Sequence, residues 1–173
     1  MESLPGYLLT ETQNINVIKD DTLEEEIYMK QKTRDLLFEL TVKEGDPDRI
    51  SNITGTLSGI AGSFDLSSQR ICGEAMNTSF PFARTNDKIT AHTRLLGTTG
   101  LKQSLRIDLT FTDGSSQTIE NDLTDLLKNF NDDMPTPMYI TGDLLTPIEA
   151  DMTATIVGWE NGNEENGENI EIY

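Results

Sequence analysis

In the stretch Leu36-Leu37-Phe38-Glu39-Leu40-Thr41-Val42-Lys43, every second residue is a large apolar one. Successive side chains of a β-strand point to opposite faces, so this spacing places Leu36, Phe38, Leu40 and Val42 on one face of an extended segment. The stretch therefore predicts a strand whose apolar face lies in a hydrophobic core.

The same alternation recurs through the middle of the chain. It is found at residues 52–59, 76–82, 89–96, 105–111 and 117–121. Between the last two stretches, Asp113-Gly114 tolerates the positive φ of a tight turn, which predicts a β-hairpin. Pro81 predicts an edge strand or a bulge, because proline lacks the N–H group that a central strand needs.

One helical pattern follows these strands. At Asp122–Phe130, apolar residues recur at helical spacing behind capping residues, which predicts one or two turns that close an end of the fold. Further strands are expected at 138–145 and 152–159. The glycine-rich stretch Gly97–Gly100 is interpreted as a hairpin connection, since it lacks the lysine of a phosphate loop. Together these patterns predict an all-β protein, an antiparallel β-sandwich of about seven strands with one short helix.

The charge distribution limits the partners and suggests boundaries. The chain has 173 residues, 13 Lys plus Arg against 30 Asp plus Glu, and a formal net charge of −17. Nucleic acids and anionic membranes attract cationic surfaces, so neither is expected to contact this domain directly. Residues 1–26 hold seven acids and one base, and residues 160–173 hold five acids and no base. We therefore expect an acidic linker in 1–26, a β-sandwich domain at 27–159 and an acidic tail at 160–173.

No group of residues in the sequence predicts an active site. The single histidine, His92, falls on the polar face of a predicted strand, where a solvated side chain is the expected interpretation. Cys72 has no Cys/His signature around it, and a lone cysteine cannot form an internal disulfide. Loops 44–48 and 131–133 collect oxygen ligands without the spacing of an EF-hand. We predict no catalytic, cofactor-binding or metal-binding residues.

Several segments occur in a recognisable order along the chain. They are Met29–Leu40, Thr56–Ala61, Arg94–Gly97 and the Asp113-Gly114 hairpin that closes on Asp122–Asp125. In this order they resemble the C-terminal domain of fimbrillin-like proteins, the fimbrial subunit and anchor lipoproteins of the Bacteroidales cell surface. Trp159, followed after a polar gap by Ile170-Glu171-Ile172, is similar to the C-terminal strand pattern of that family.

This resemblance implies a transthyretin-like sandwich without enzymatic activity, located at the cell surface, in the outer membrane or in a fimbrium. It implies a fimbrial subunit, tip or anchor that joins other fimbrial subunits, or host or bacterial surface proteins, by strand addition. Residues 1–26 would then hold an N-terminal strand, with Ile15 and Val17 on one face, before the acidic linker. The tail at 160–173 would end in a terminal strand. The sequence itself contains no secretion signal and no lipid-anchor motif.

Two other classes of function stay open at this point. A glycan-binding module of an outer-membrane surface lipoprotein would use the same fold, with Tyr28, Tyr139 and Trp159 as candidates for an aromatic platform. A hydrolase built on this scaffold would have to use His92 if its mechanism needed an imidazole.

Overall fold

A computed structural model of the protein describes residues 6–19, 22–147 and 152–162. Within these ranges the chain forms eleven strands, one short α-helix and a 3₁₀ turn at Pro47–Arg49. The strands are β1 (Leu9–Thr10), β2 (Lys30–Gln31), β3 (Arg34–Glu44), β4 (Ile50–Asp65), β5 (Arg70–Pro81), β6 (Ala83–Thr85), β7 (Lys88–Leu95), β8 (Ser104–Phe111), β9 (Ser116–Asp122), β10 (Met138–Leu145) and β11 (Thr155–Asn161), and the helix is α1 (Thr124–Leu127).

Two sheets face each other across one core. One sheet has the strand order β11-β10-β3-β7-β6, and the other has the order β5-β4-β8-β9, while β1 and β2 form a separate small pair. This arrangement confirms the predicted all-β sandwich. The expectation of purely antiparallel strands was wrong in one place, because β10 runs parallel to β3. Parallel neighbours need a crossover connection, and here β10 reaches β3 only after the chain has passed through the opposite sheet and α1.

The alternating stretch that begins at Leu36 forms β3, the central strand of the five-stranded sheet. Leu36, Phe38 and Leu40 point into the core and are fully buried, as their spacing predicts. The opposite face is also covered, since Leu37 and Glu39 are buried as well. A strand between two neighbours in a sheet is shielded on both faces more readily than an edge strand, and Leu37 lies between residues of β10 and β7.

Three phenylalanine rings fill the centre of the core. Phe38 stacks on Phe80 with ring centroids 5.6 Å apart, and Phe82 contacts both rings at 6.0 and 5.7 Å. Phe80 ends the regular part of β5, and Phe82 lies where the chain passes to β6 in the other sheet. The backbone N–H of Phe82 donates to the carbonyl of Ile53 at 3.1 Å, which fixes this crossing point. The aromatic cluster therefore joins the two sheets at one corner.

The predicted hairpin and helix are both confirmed. Strands β8 and β9 pair in the expected register around the Asp113-Gly114 turn, where Gly114 has φ 85°. Asp122 accepts a hydrogen bond from the backbone N–H of Thr124 at 3.0 Å, at the start of α1. Leu127 and Phe130 are fully buried, so the apolar side of this turn closes one end of the core.

Several local expectations differ from the structure. Gly97–Gly100 does not close a hairpin, because it connects β7 in one sheet to β8 in the other. The last described strand begins at Thr155 instead of Met152. Ile15 and Val17 lie outside any strand, and the extended pairing of this region occurs at β1. The predicted terminal strand at Ile170–Ile172 lies outside the described residues.

Truncation of a buried apolar side chain should lower the free energy of unfolding far more than truncation of an exposed one. Phe38→Ala should lower the free energy of unfolding by about 3–5 kcal/mol, because it removes a buried ring and leaves a cavity. Leu66→Ala, at a residue that is 51% exposed, should change it by less than about 0.5 kcal/mol. Urea denaturation of both variants measures the two values, and similar losses would contradict this description of the core.

Candidate functional site

The open edges of the two sheets are the first candidate for a binding site. Among the described strands, the edges are β6 and β11 of one sheet and β5 and β9 of the other. An edge strand carries unpaired backbone N–H and C=O groups, which can pair with another chain. The four edges differ in length and in protection.

Strand β5 provides the longest of these edges. It pairs along its whole length with β4, so that the two strands form a long hairpin. The part of this hairpin at residues 62–77, which we call the ribbon, contains no buried residue, whereas β4 between Ile53 and Ala61 lines the core. The ribbon therefore extends past the edge of the core.

Two bulges shape the ribbon, and each contains a glycine with positive φ. The register between β4 and β5 shifts after Leu57, where Gly59 has φ 71°, and again after Ala61, opposite Gly73 with φ 82°. A Cβ atom at Gly59 would lie 2.4 Å from the carbonyl oxygen of Lys102, so only glycine fits there. Bulges increase twist and interrupt pairing. Strand β5 itself carries no further extra residue at 74–80, between Gly73 and Pro81, because the first bulge places its extra residue on β4, opposite Asn77.

The other three edges are short, bulged or covered. Strand β6 has only three residues. Strand β11 contains a bulge at Gly158, which has φ 65°. On β9, the side-chain amide of Gln117 donates to the carbonyl of Met152 at 3.1 Å and accepts from the N–H of Ala154 at 2.6 Å. Of the edges in the described ranges, residues 74–80 thus form the one that combines length, regularity and exposure.

An N-terminal segment, the described residues 6–19 and 22–31, is attached at its two ends, where Tyr7 Oη donates to Asp35 at 2.6 Å and the side-chain amide of Gln31 donates to the carbonyl of Met134 at 3.1 Å. Its first strand, β1, pairs with β2, and the N–H of Lys32 donates to the carbonyl of Leu8 at 2.8 Å. Between these strands, residues 11–19 and 22–29, which we call the arm, form no strand. The arm exposes several large apolar side chains, which are Ile15, Val17, Ile18, Leu23, Ile27, Tyr28 and Met29.

A buried carboxylate on the outer face of β3 holds the start of this segment. Asp35 accepts hydrogen bonds from Tyr7 Oη at 2.6 Å and from Arg94 Nε at 2.8 Å, and its Oδ1 lies 2.9 Å from His92 Nε2. The Arg94 guanidinium also lies 3.6 Å from the centroid of the Tyr7 ring. Burial alone raises the pKa of Asp35, but the hydrogen bonds from Tyr7, His92 and Arg94 outweigh it and lower the pKa. The bond to Asp35 raises the pKa of Tyr7.

This cluster also defines what His92 does. Its Nε2 faces a carboxylate that is already bonded to Arg94 and Tyr7, and among the described residues no serine, threonine or cysteine side chain bonds to that carboxylate. Cys72 is exposed on the ribbon, in the other sheet. The prediction of a solvated His92 was wrong, because the side chain is only 13% exposed. His92 therefore helps to position the Asp35 carboxylate, which bonds to Tyr7.

The two strand aromatics proposed for a glycan platform lie on opposite faces of one sheet. Tyr139 is the cross-strand neighbour of Leu37 on the outer face. Trp159 packs against the core, where a Cβ atom added at Gly142 would lie 3.1 Å from its ring. The extra residue in the β11 bulge turns Trp159 inward. These two residues cannot form one sugar-binding surface.

The loops that gather oxygen atoms use them within the protein. Asp46 Oδ1 accepts from the N–H of Asp48 at 2.9 Å, and Asn131 Oδ1 accepts from the N–H of Thr98 at 2.8 Å. Within the described ranges, no three His, Cys, Asp or Glu residues are grouped so that they could hold a metal ion. The absence of a metal or cofactor stays a prediction. The same residues contain no helix that is long and apolar enough to span a membrane.

Comparison with known proteins identifies the family. Residues 4–165 match the model of the fimbrillin-A associated anchor proteins Mfa1 and Mfa2. The chain belongs to this family. The resemblance inferred from the sequence is thereby confirmed, as is the prediction that the protein is not an enzyme, because the family consists of fimbrial anchor proteins. Membership places it among fimbrial proteins of the cell surface.

Solved structures of low sequence identity share the fold. A protein described as an adhesin from Bacteroides ovatus has a TM-score of 0.58 at 13% identity, covering 83% of this chain and 55% of its own. The fimbrial anchor protein Mfa2 from Porphyromonas gingivalis has a TM-score of 0.52 at 15% identity, covering 77% of this chain and 47% of its own. A protein described as a cell adhesion protein from Bacteroides fragilis has a TM-score of 0.50 at 17% identity, and the match covers 78% of this chain and 47% of its own.

The chain spans about half the length of these structures, whose similarity supports the fold alone. No curated protein sequence matches the chain.

The Asp35 cluster predicts a specific dependence of stability on pH. Because the pKa of Asp35 is lowered on folding, its contribution is present above its unfolded pKa of about 3.9 and is lost as the pH falls through the folded value. Asp35→Asn should cost about 2 kcal/mol at neutral pH, since it removes bonds between charged groups, and this difference should shrink below about pH 3.

Urea denaturation across the acidic range measures this difference. The control is Asp108→Asn, because Asp108 also has a lowered pKa but its side chain is 42% exposed. The control should show a smaller effect at neutral pH. A constant difference between wild type and Asp35→Asn at all pH values would contradict the proposed role of the carboxylate.

Proposed function

We propose that the protein is a non-enzymatic component of a fimbrial or adhesive structure, of the subunit, tip or anchor type, which binds another subunit by strand addition at residues 74–80 of β5. The exposed, regular edge of this strand is the observation that carries the proposal. A strand added there would gain main-chain hydrogen bonds along seven residues, while its alternate side chains would determine which partner fits.

The chemistry of the β5 edge suits such an addition. Natural proteins protect edges with proline and with charged side chains, particularly lysine. Between Gly73 and Pro81 the edge contains one charged residue, Glu74, and no lysine. Met76 pairs with the buried Ile60 and is 56% exposed, so an incoming strand would cover apolar surface next to the core.

We further propose that the whole protein lies at the outer membrane or in the fimbrium and is attached through a lipid anchor. Its expected partners are other fimbrial subunits, or surface proteins of host or bacterial cells. The family of fimbrial anchor proteins supports this location. The formal charge of −17 supports the exclusion of nucleic acids and of direct contact with anionic lipid. No observation favours the glycan-binding alternative, because Tyr139 and Trp159 lie on opposite faces.

Photo-crosslinking on intact cells tests the binding edge. A photoreactive amino acid at Asn77, exposed in the middle of the edge, should link the full-length protein to a second fimbrial subunit, identified by mass spectrometry. The same amino acid at Ser116, exposed on the β9 edge, should give no such product because Gln117 covers that edge. Crosslinks to a fimbrial subunit at Ser116 alone, or at neither position, would overturn the proposal.

A charged side chain on the β5 edge should reduce assembly, which tests the same proposal without a photoreactive probe. Thr78→Lys introduces a lysine, the residue with which natural proteins protect sheet edges, and should reduce the amount of co-assembled subunit by about tenfold or more. Ser116→Lys is the matched control. Circular dichroism and urea denaturation confirm that both variants are folded, and unchanged assembly of a folded Thr78→Lys variant would count against strand addition at β5.

A further inference from the structure

The arm contains a segment with the composition of a β-strand. Thr12–Ile18 has the sequence Thr-Gln-Asn-Ile-Asn-Val-Ile, without a charge, a proline or a glycine. Uncharged segments of six or seven residues that include β-branched side chains pair readily with other strands. Charged residues, Glu11 and Lys19, stand at its two ends. The segment is therefore suited to a sheet.

In the described structure this segment is unpaired. Asn14–Ile18 take part in no hydrogen bond and belong to no strand. Their apolar side chains are open to solvent, with Ile15 50%, Val17 80% and Ile18 64% exposed. Isolated exposed apolar residues are ordinary on a protein surface, but three within four residues of unpaired chain mark a segment suited to a partner.

The apolar side chains of this segment match the core-facing side of the β5 edge. If the two segments run antiparallel with Val17 opposite Met76, Ile15 lies opposite Thr78. Met76 and Thr78 are on the side of β5 that carries the buried Phe80. Ile15 and Val17 would therefore extend the core layer, and Val17 would cover the exposed side chain of Met76, whereas Ile18 would lie opposite Ala75 on the solvent side.

The polar residues match in the same register. Asn16 lies opposite Asn77 and Asn14 opposite Ser79, on the solvent side of the strand. Lys19 lies opposite Glu74, which is the one charged residue of the β5 edge between Gly73 and Pro81. Opposite charges directly across an antiparallel pair stabilise it, so the register that pairs Val17 with Met76 also pairs Lys19 with Glu74.

We propose that residues 13–19 of one molecule add as an antiparallel strand to residues 74–80 of a second copy of this chain, with Val17 opposite Met76. This inference rests on the proposed function, because it names the strand that the β5 edge receives.

The added strand is assigned to a second copy of this chain because each molecule carries both the arm segment and the β5 edge that it matches. Within one molecule, the salt bridge of 2.6 Å between Glu11 and Lys30 and the hydrogen bond of 3.1 Å from Gln13 to Glu25 hold the segment beside the other limb of its own arm. The arm and the β5 edge are different surfaces, so each molecule can donate one strand and receive another.

Disulfide trapping between two single-cysteine proteins tests the register. Both carry Cys72→Ser, one with Asn16→Cys and the other with Asn77→Cys, so that a mixed disulfide joins two molecules. Directly opposed residues in an antiparallel pair have Cα atoms about 4.5–5.5 Å apart, within the range that a disulfide requires.

The matched control pairs Asn16→Cys with Ser116→Cys on the covered β9 edge. The mixed product with Asn77→Cys should exceed this control by about tenfold, since cysteines that are not held opposite each other rarely meet the geometry of a disulfide. Equal yields from the two mixtures, measured by mass spectrometry, would overturn the inference.

A second pair of variants separates the segment from the rest of the arm. Val17→Asp should abolish the trapped product, because a charge would enter the core-facing side of the added strand. Leu23→Asp, on the other limb of the arm and 49% exposed, should leave it unchanged. Both positions are exposed, so both variants should keep the urea midpoint of the parent protein.

Disulfide trapping and the Asn77 photo-crosslink together show whether this inference alone fails or the proposed function fails with it. If Val17→Asp loses the trapped product while the Asn77 photo-crosslink to another fimbrial subunit persists, both stand, and the edge accepts more than one donor. If trapping fails in the parent protein while that photo-crosslink persists, only the inference is overturned. If neither appears, strand addition at β5 is itself overturned.

Discussion

Burial of β3 on both faces is the constraint to which the rest of the structure is adjusted. On its inner face, Phe38 joins Phe80 and Phe82 and so connects the five-stranded sheet to the corner where the chain changes sheets. On its outer face, Asp35 is nearly inaccessible, so a carboxylate at this position requires the donors supplied by Tyr7, His92 and Arg94. One strand thus organises both the core and the attachment of the N-terminal segment.

The position of the free edge follows from how far that core extends. Strand β4 contributes to the core from Ile53 to Ala61, and beyond Ala61 the ribbon continues without buried side chains. The Gly59 and Gly73 bulges adjust the register there, since they absorb one extra residue first on β4 and then on β5. The ribbon is held by its ladder of backbone hydrogen bonds, and its outer side is left unpaired among the described strands. The edge is therefore available because it lies at the margin of the sandwich.

Features set by local pattern could be predicted from the sequence, and features set by distant contacts could not. Alternation from Leu36 onward, the Asp113-Gly114 turn and the apolar residues of α1 each depend on neighbours within a few positions. In the Asp35 cluster, Tyr7, His92 and Arg94 lie 28, 57 and 59 positions away from Asp35 along the sequence. No spacing rule connects residues that are so far apart. Trp159 faces inward because one bulge at Gly158 reverses the alternation of β11. The parallel pairing of β10 was missed because it depends on the path of the chain between the sheets.

The chemistry of the outer face beneath the N-terminal segment affects which sequence changes this protein can tolerate. The groups that Tyr7 contacts are polar, since it bonds to Asp35 and its ring stacks on Arg94, whereas Leu36, Phe38 and Leu40 point to the opposite side of the sheet. If the segment moved away, water would rehydrate Asp35 and Arg94, which would offset part of the lost contact. The segment is thus a module whose length and sequence evolution can change without altering the hydrophobic interior.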